Sequence, residues 1–181
     1  MTINLRKPND SPSMLQMFTR YKAWANLITL QALSELPQEE LVKPRQTTFG
    51  SLIHTMNHIY VVDDIFKAHL ERRKHSYSAR NTDASPPLND LRQLCEDMDG
   101  WYIAQADQLA DQPDDAQLGK IIEFEFAGGG RGAMSRMEIF LHIVNHGTYH
   151  RGTISGLMHQ IPVITAANDL PVFLRDVWNV A

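Results

Sequence analysis

Four long stretches of this chain repeat their apolar side chains at helical spacing, and segments rich in proline, glycine or small polar residues separate them. Few folds satisfy that pattern. The first stretch runs from about Ser13 to Leu36, with Ser11 or Ser13 placed to cap it and Leu15, Phe18, Tyr21, Ala25 and Ile28 recurring along it. The second begins after Thr47 or Thr48, near Phe49, and extends to about Arg73 along the stripe Leu52, Ile53, Met56, Ile59, Val62 and Phe66. The third, roughly Leu88 to Asp111, aligns Leu91, Leu94, Cys95, Met98, Tyr102 and Leu109. The fourth spans about Ser135 to His159, where Pro162 limits it.

The segments between are as informative. Residues 74–87 carry Ser, Asn, Thr, Asp and the pair Pro86-Pro87, which reads as a long surface crossover. Ile121-Ile122-Glu123-Phe124-Glu125-Phe126 alternates at period two and ends in Gly128-Gly129-Gly130, a short strand or hairpin flap. Residues 1–11 read as a loose arm, and Asn168 to Val177 as a short docked turn or helix. The expected architecture is therefore all-α. It is one domain over residues 1–181, a four-helix bundle with one long crossover and a flap before the last helix.

Composition narrows the function classes. The net charge is −4 with both signs scattered, and no basic block is present to track a phosphate backbone, so nucleic acid is not an expected partner. The start, Met1 to Lys7, lacks the apolar run of a secretory signal, and no stretch is long enough to cross a bilayer. Cys95, the single cysteine, excludes an internal disulfide framework and a multi-cysteine zinc site. A protein of the reducing cytoplasm is expected.

Histidine is the unusual entry in the composition, with eight residues, five of them in two short runs. His54 and His58 lie on the second helix, and His142, His146 and His150 on the fourth. A spacing of four residues stacks two imidazoles on one helix face, where they can chelate one ion. A third imidazole from a neighbouring helix completes the set and leaves a position open, as catalytic metal sites do. Spacing alone does not choose the three: His54 with His142 and His146 is as legal as His58 with His146 and His150. A single such pair is also a common accident of amphipathic helices; two pairs amid core-like residues are less so.

The segment Met56-Asn57-His58-Ile59-Tyr60-Val61-Val62-Asp63 resembles the second-helix signature of the DinB-like (YfiT-like) metal-dependent family. Val144-Asn145-His146-Gly147-Thr148-Tyr149-His150-Arg151-Gly152 is similar to its fourth-helix signature. Tyr21-Lys22-Ala23-Trp24-Ala25-Asn26 matches its first-helix opening, and Asp169 to Arg175 resembles its closing segment. The resemblance implies His58, His146 and His150 as metal ligands, with His54 and His142 outside the set. Tyr149 departs from the commoner histidine there, at a position that is not a ligand. The implied cofactor is a divalent ion, zinc or nickel first and iron or copper next. The implied function is a metal-dependent transferase or hydrolase acting on a small molecule. A low-molecular-weight thiol is the implied co-substrate, as in thiol-using relatives, and a homodimer is the implied assembly. The alternative is a non-catalytic bundle with a structural ion, or an interaction or sensing role.

Other candidates carry plainer expectations. Asp63 is expected to pair with Arg151 and hold helices two and four together. Glu123 and Glu125 read as a solvated strand face, Gly128 to Gly132 as a flexible turn, and Cys95 as a small hydrophobe. Trp24, Trp101 and Trp178 read as core or interface groups.

Overall fold

The computed structural model describes residues 3–9, 11–111, 115–161, 163 and 166–179. Serine hydroxyls set where the long helices begin. Ser13 caps α1 (Met14–Ser34) in a reciprocal capping box with Gln16. A short helix, α2 (Gln38–Val42), occupies the connection that follows, which the sequence had marked only by its prolines. α3 (Leu52–Leu70) starts later than Thr48, because Gly50 turns the chain at φ +74° and Ser51 then accepts from the His54 amide. α4 spans Leu88–Asp111 and α5 Asp115–Gly119. The flap is an antiparallel hairpin of β1 (Ile121–Glu125) and β2 (Arg131–Ser135), with Ile122 and Phe124 turned inward. It ends before Phe126, which is half exposed with its ring edge-on to Phe124 at 5.1 Å. Ser135 and Glu138 form a second capping box that starts α6 (Arg136–Met158), a cap that contributes about 1 kcal/mol. The tail folds as α7 (Leu170–Phe173) and a π-helical turn, Leu174–Trp178.

The four long helices pack as a square. α1 lies against α4 and α6, and α3 lies against the same two, which leaves α1 and α3 on one diagonal. Two apolar clusters fill the interior. One joins Trp24, Phe66, Tyr102, Phe140, Phe173 and Trp178 near the hairpin and tail. The other joins Leu30, Leu52, Met56, Ile59, Cys95 and Ile154. Each fully buried Leu, Ile or Phe contributes roughly 1.5–3 kcal/mol, so these clusters carry the fold. Leu5, in the arm, lies against the first cluster. Buried among these apolar groups are the polar side chains of Lys22, Asn26, His58, Asp63, Asp99, His150 and Arg151, and they carry the chemistry.

Candidate metal centre

His146 and His150 project from one face of α6, and His58 meets them from α3. One ligand nitrogen from each lies within 4.8 Å of the others. The ring centroids are 4.8 Å apart for His58 and His146, 4.5 Å for His58 and His150, and 4.4 Å for His146 and His150. Among the described residues no other group of three His, Cys, Asp or Glu residues gathers in this way. The combination of His54 with His142 and His146, legal by spacing, is not assembled. His54 instead contacts the Ser85 hydroxyl at 2.9 Å, and the His142 ring packs on Phe66 at 4.7 Å.

The crossover, residues 71–87, fixes the orientation of His58. Asn57 donates to the Asn81 and Thr82 side chains, and Asn81 donates to the His54 carbonyl, so the loop is tied to α3. This places the Arg80 carbonyl 2.6 Å from His58 Nδ1. A carbonyl only accepts, so Nδ1 carries the proton and Nε2 presents its lone pair to the centre. Backbone anchoring of this kind orients metal-binding histidines. Phe49 stacks on the His58 ring at 3.9 Å and meets His150 edge-on at 5.4 Å, covering the site with an apolar face.

His58 Nε2 and His146 Nε2 stand 2.9 Å apart, and His146 Nδ1 is buried with no hydrogen-bond partner. Whichever tautomer His146 adopts, one of its nitrogens is left unmatched. A shared cation accounts for the close approach of the two Nε2 atoms when both present lone pairs, leaving only the His146 Nδ1–H unmatched. Two imidazole nitrogens at ~2.0–2.1 Å from one ion are roughly 3 Å apart, so the donors present fit the group. Burial pushes the His58 imidazole down to about 4 and lowers His146 and His150 as well, so all three are neutral, ligating forms at pH 7.

The same shifts predict acid sensitivity of the metal-free protein. Below about 6.5 the unfolded chain takes up protons that the folded imidazoles refuse, so stability falls with pH through that range. The loss runs from about 6.5 toward the folded values of His58 and His69, both about 4. Asp63, raised to about 6 by burial, acts in the opposite direction over the lower part of the window but is one group against several. Thermal melts of chelator-treated protein should show Tm dropping steadily from pH 7 to pH 5. A flat profile would contradict the buried neutral state of the imidazoles.

Directly beside the triad lies a charged layer that joins all four long helices. The Lys22 ammonium, fully buried, sits 2.7 Å from Asp63 and 2.5 Å from Asp99. Burial pulls Lys22 toward neutrality, but the two carboxylates outweigh it and hold the ammonium above its ordinary value. Asn26 donates to Asp99 and accepts from Arg151 at 2.8 Å, and Arg151 also donates to the Thr148 hydroxyl. The expected Asp63–Arg151 pair is therefore corrected: Asp63 pairs with Lys22, and Arg151 reaches Asn26 instead. Gly147 makes room for that arrangement, since a Cβ there would stand 2.8 Å from Arg151 Nη1.

The sequence assigned no role to Lys22 and Asn26, although both lie in the segment that matches the first-helix opening, nor to Asp99, Phe49 and the Arg80 carbonyl. A signal existed for two of them: Lys22 falls in register with Leu15 and Ala25, and Asp99 with Cys95 and Tyr102, where a solvent-facing charge has no place. Glu123 and Glu125 are exposed as expected, and Cys95 is packed in the core. Trp24 and Trp178 are core residues, and Trp101 packs at the core margin. No helix among the described residues is long and apolar enough to cross a membrane.

Comparison with known proteins agrees with this architecture. The model of the DinB family matches residues 9–176. Protein DinB of Bacillus subtilis (strain 168) is 27% identical over 166 residues, covering 85% of this chain and 90% of that protein. The crystal structure of a DinB-like protein from Bacillus cereus ATCC 10987 shares the fold at a TM-score of 0.61 and 18% identity, over 85% of this chain and 99% of that one.

Proposed function

The chain belongs to the DinB family, and on that footing we propose that His58, His146 and His150 hold one divalent metal ion, zinc or nickel, at a centre for metal-dependent group transfer. The single observation that carries the reading is the convergence of three neutral imidazoles, one locked by the Arg80 carbonyl with its Nε2 lone pair facing the other two. A bound divalent ion would supply Lewis acidity, acidifying a thiol or water at its open position or polarising an electrophile there.

The chain's own residues do the rest. Arg80 keeps the proton on His58 Nδ1, Phe49 screens the rings from bulk water, and the Lys22 layer sets the spacing of α3 and α6 beneath them. Asp63 and Asp99 are engaged with Lys22, and Glu123 and Glu125 face outward on the hairpin. Hydrolysis helped by a carboxylate base has no evident partner in that arrangement. Transfer of a small thiol to an electrophile needs none, because an acidified thiol is itself the nucleophile.

Two measurements test this. Zinc at about 100 times its Kd should stabilise the protein by about 2.7 kcal/mol, a Tm rise of about 5–10 °C. Chelation should leave helical circular dichroism intact, since both apolar clusters are independent of the ion. Loaded protein should then accelerate thiol addition to an electrophile in a panel of small thiols, and chelated protein should not. Unfolding on chelation would instead assign the ion a structural role. Equal rates with and without metal would overturn the catalytic reading.

A further inference from the structure

A cleft of about 950 Å³ opens between the end of α3, residues 72–77 and the hairpin. It is separate from the histidine centre. His69 lies eleven residues beyond His58, roughly 16 Å along the helix at 1.5 Å per residue. The Phe66 ring stands between, 4.7 Å from His142 on one side and 5.5 Å from Phe124 on the other.

Its lining is chemically unsettled. His69 is only 9% exposed, yet its Nε2 has no hydrogen-bond partner, and neither has His75 Nδ1, the two rings lying 5.4 Å apart. Burial holds His69 neutral at pH 7, so its ring offers one N–H donor and one lone pair. Arg72 and Lys74 border the same space, and their side chains make no ion pair among the described residues, whereas Arg73 is taken by Glu71 and Asp64. Cations after a helix end ordinarily offset its negative pole. That explains the charges but not two enclosed imidazole nitrogens left without partners. The strand wall carries an apolar patch: Phe124 stacks on His69 at 4.7 Å, and Phe126 is 52% exposed beside it. Glu123 and Glu125 also border the cleft, so the charges are segregated, positive at the helix end and negative on the strand.

We propose that this cleft is a binding site for a small organic anion with a flat apolar body. The anionic group, a carboxylate or a phosphate ester, lies toward Arg72 and Lys74 and accepts from the His69 and His75 imidazoles. The body lies against the exposed Phe126 ring. The site is independent of the metal reading, because none of the three proposed ligands lines it.

Phenyl phosphate, benzoate and benzyl alcohol are titrated into the isotope-labelled protein, following the imidazole resonances of His69 and His75. Both anions should give saturable shifts and the neutral alcohol none. Tighter binding of phenyl phosphate identifies a phosphate head, and binding of benzoate at least as tight identifies a carboxylate. The double variant Arg72→Asn/Lys74→Gln should weaken both by about tenfold, about 1.4 kcal/mol. Asparagine suits the left-handed φ of +56° at position 72, and both side chains are exposed, so the fold is kept. Glu123→Gln should strengthen binding, and His146→Ala should leave it unchanged. Absence of saturable shifts with either anion, equal binding of the alcohol, indifference to the double variant or loss in His146→Ala would each overturn the proposal.

Discussion

His146→Ala is expected to abolish stoichiometric zinc binding, a larger loss than the ~10–100-fold that follows removal of an outer-shell partner. His146 adjoins both other members of the triad, 4.8 Å from His58 and 4.4 Å from His150 between ring centroids. Without it the remaining two imidazoles belong to different helices and leave too few donors for a tight site. The metal-free variant should stay within about 1 kcal/mol of the metal-free parent, because lost packing is offset by removing a buried nitrogen that has no partner. His142→Ala is the control. Its ring packs on Phe66 and is not among the gathered nitrogens, so zinc affinity should be unchanged. Competition against a chromophoric chelator reads both variants; retention of tight zinc by His146→Ala would contradict the ligand set.

Lys22→Met should be the most destabilising single substitution, costing about 3–5 kcal/mol, because it strands Asp63 and Asp99 in a dry interior. Against a total stability of about 5–15 kcal/mol that is enough to unfold much of the protein at elevated temperature. The sign depends on what remains behind. Adding Asp63→Asn and Asp99→Asn removes the uncompensated charges, and the triple variant should recover most of the loss, since a buried ionic set often contributes little net stability over neutral replacements. Urea unfolding at pH 7 measures both. A loss below about 1 kcal/mol in Lys22→Met would mean that the ammonium is not the keystone of the layer.

The sequence exposed the helices well where apolar periodicity and a serine cap coincide. α4 matches its expected limits, and α1 and α6 match theirs to within a few residues because Ser13 and Ser135 fix their starts. α3 was misplaced at its start because Phe49 continues the apolar pattern, whereas Gly50 ends it through backbone geometry that periodicity does not register. The histidines were visible as two runs, but their convergence depends on helix rotation and on which face α6 turns to α3. Spacing carries neither. The family resemblance supplied the choice of three, and the geometry brings those three together. The Asp63 partner was misjudged for a related reason. Arg151 is the obvious cation from the facing helix, but its guanidinium folds back over Gly147 to Asn26, and a lysine from α1 fills the space.

Phe49 and the Arg80 carbonyl belong to connections, where no periodic signal marks a residue for function. Their roles follow from loop anchoring by Asn57, Asn81 and Thr82, which only the folded chain displays. The cleft at the hairpin was hidden similarly, since nothing in the spacing of His69 and His75 shows that the strand packs against His69.

X-ray absorption at the zinc edge, on protein without a histidine tag loaded to one equivalent, tests the central claim most directly. Three imidazole nitrogens in the shell around one ion per chain, falling to fewer in His146→Ala, is the predicted result. A shell of oxygens alone, or zinc that washes out before measurement, would contradict it.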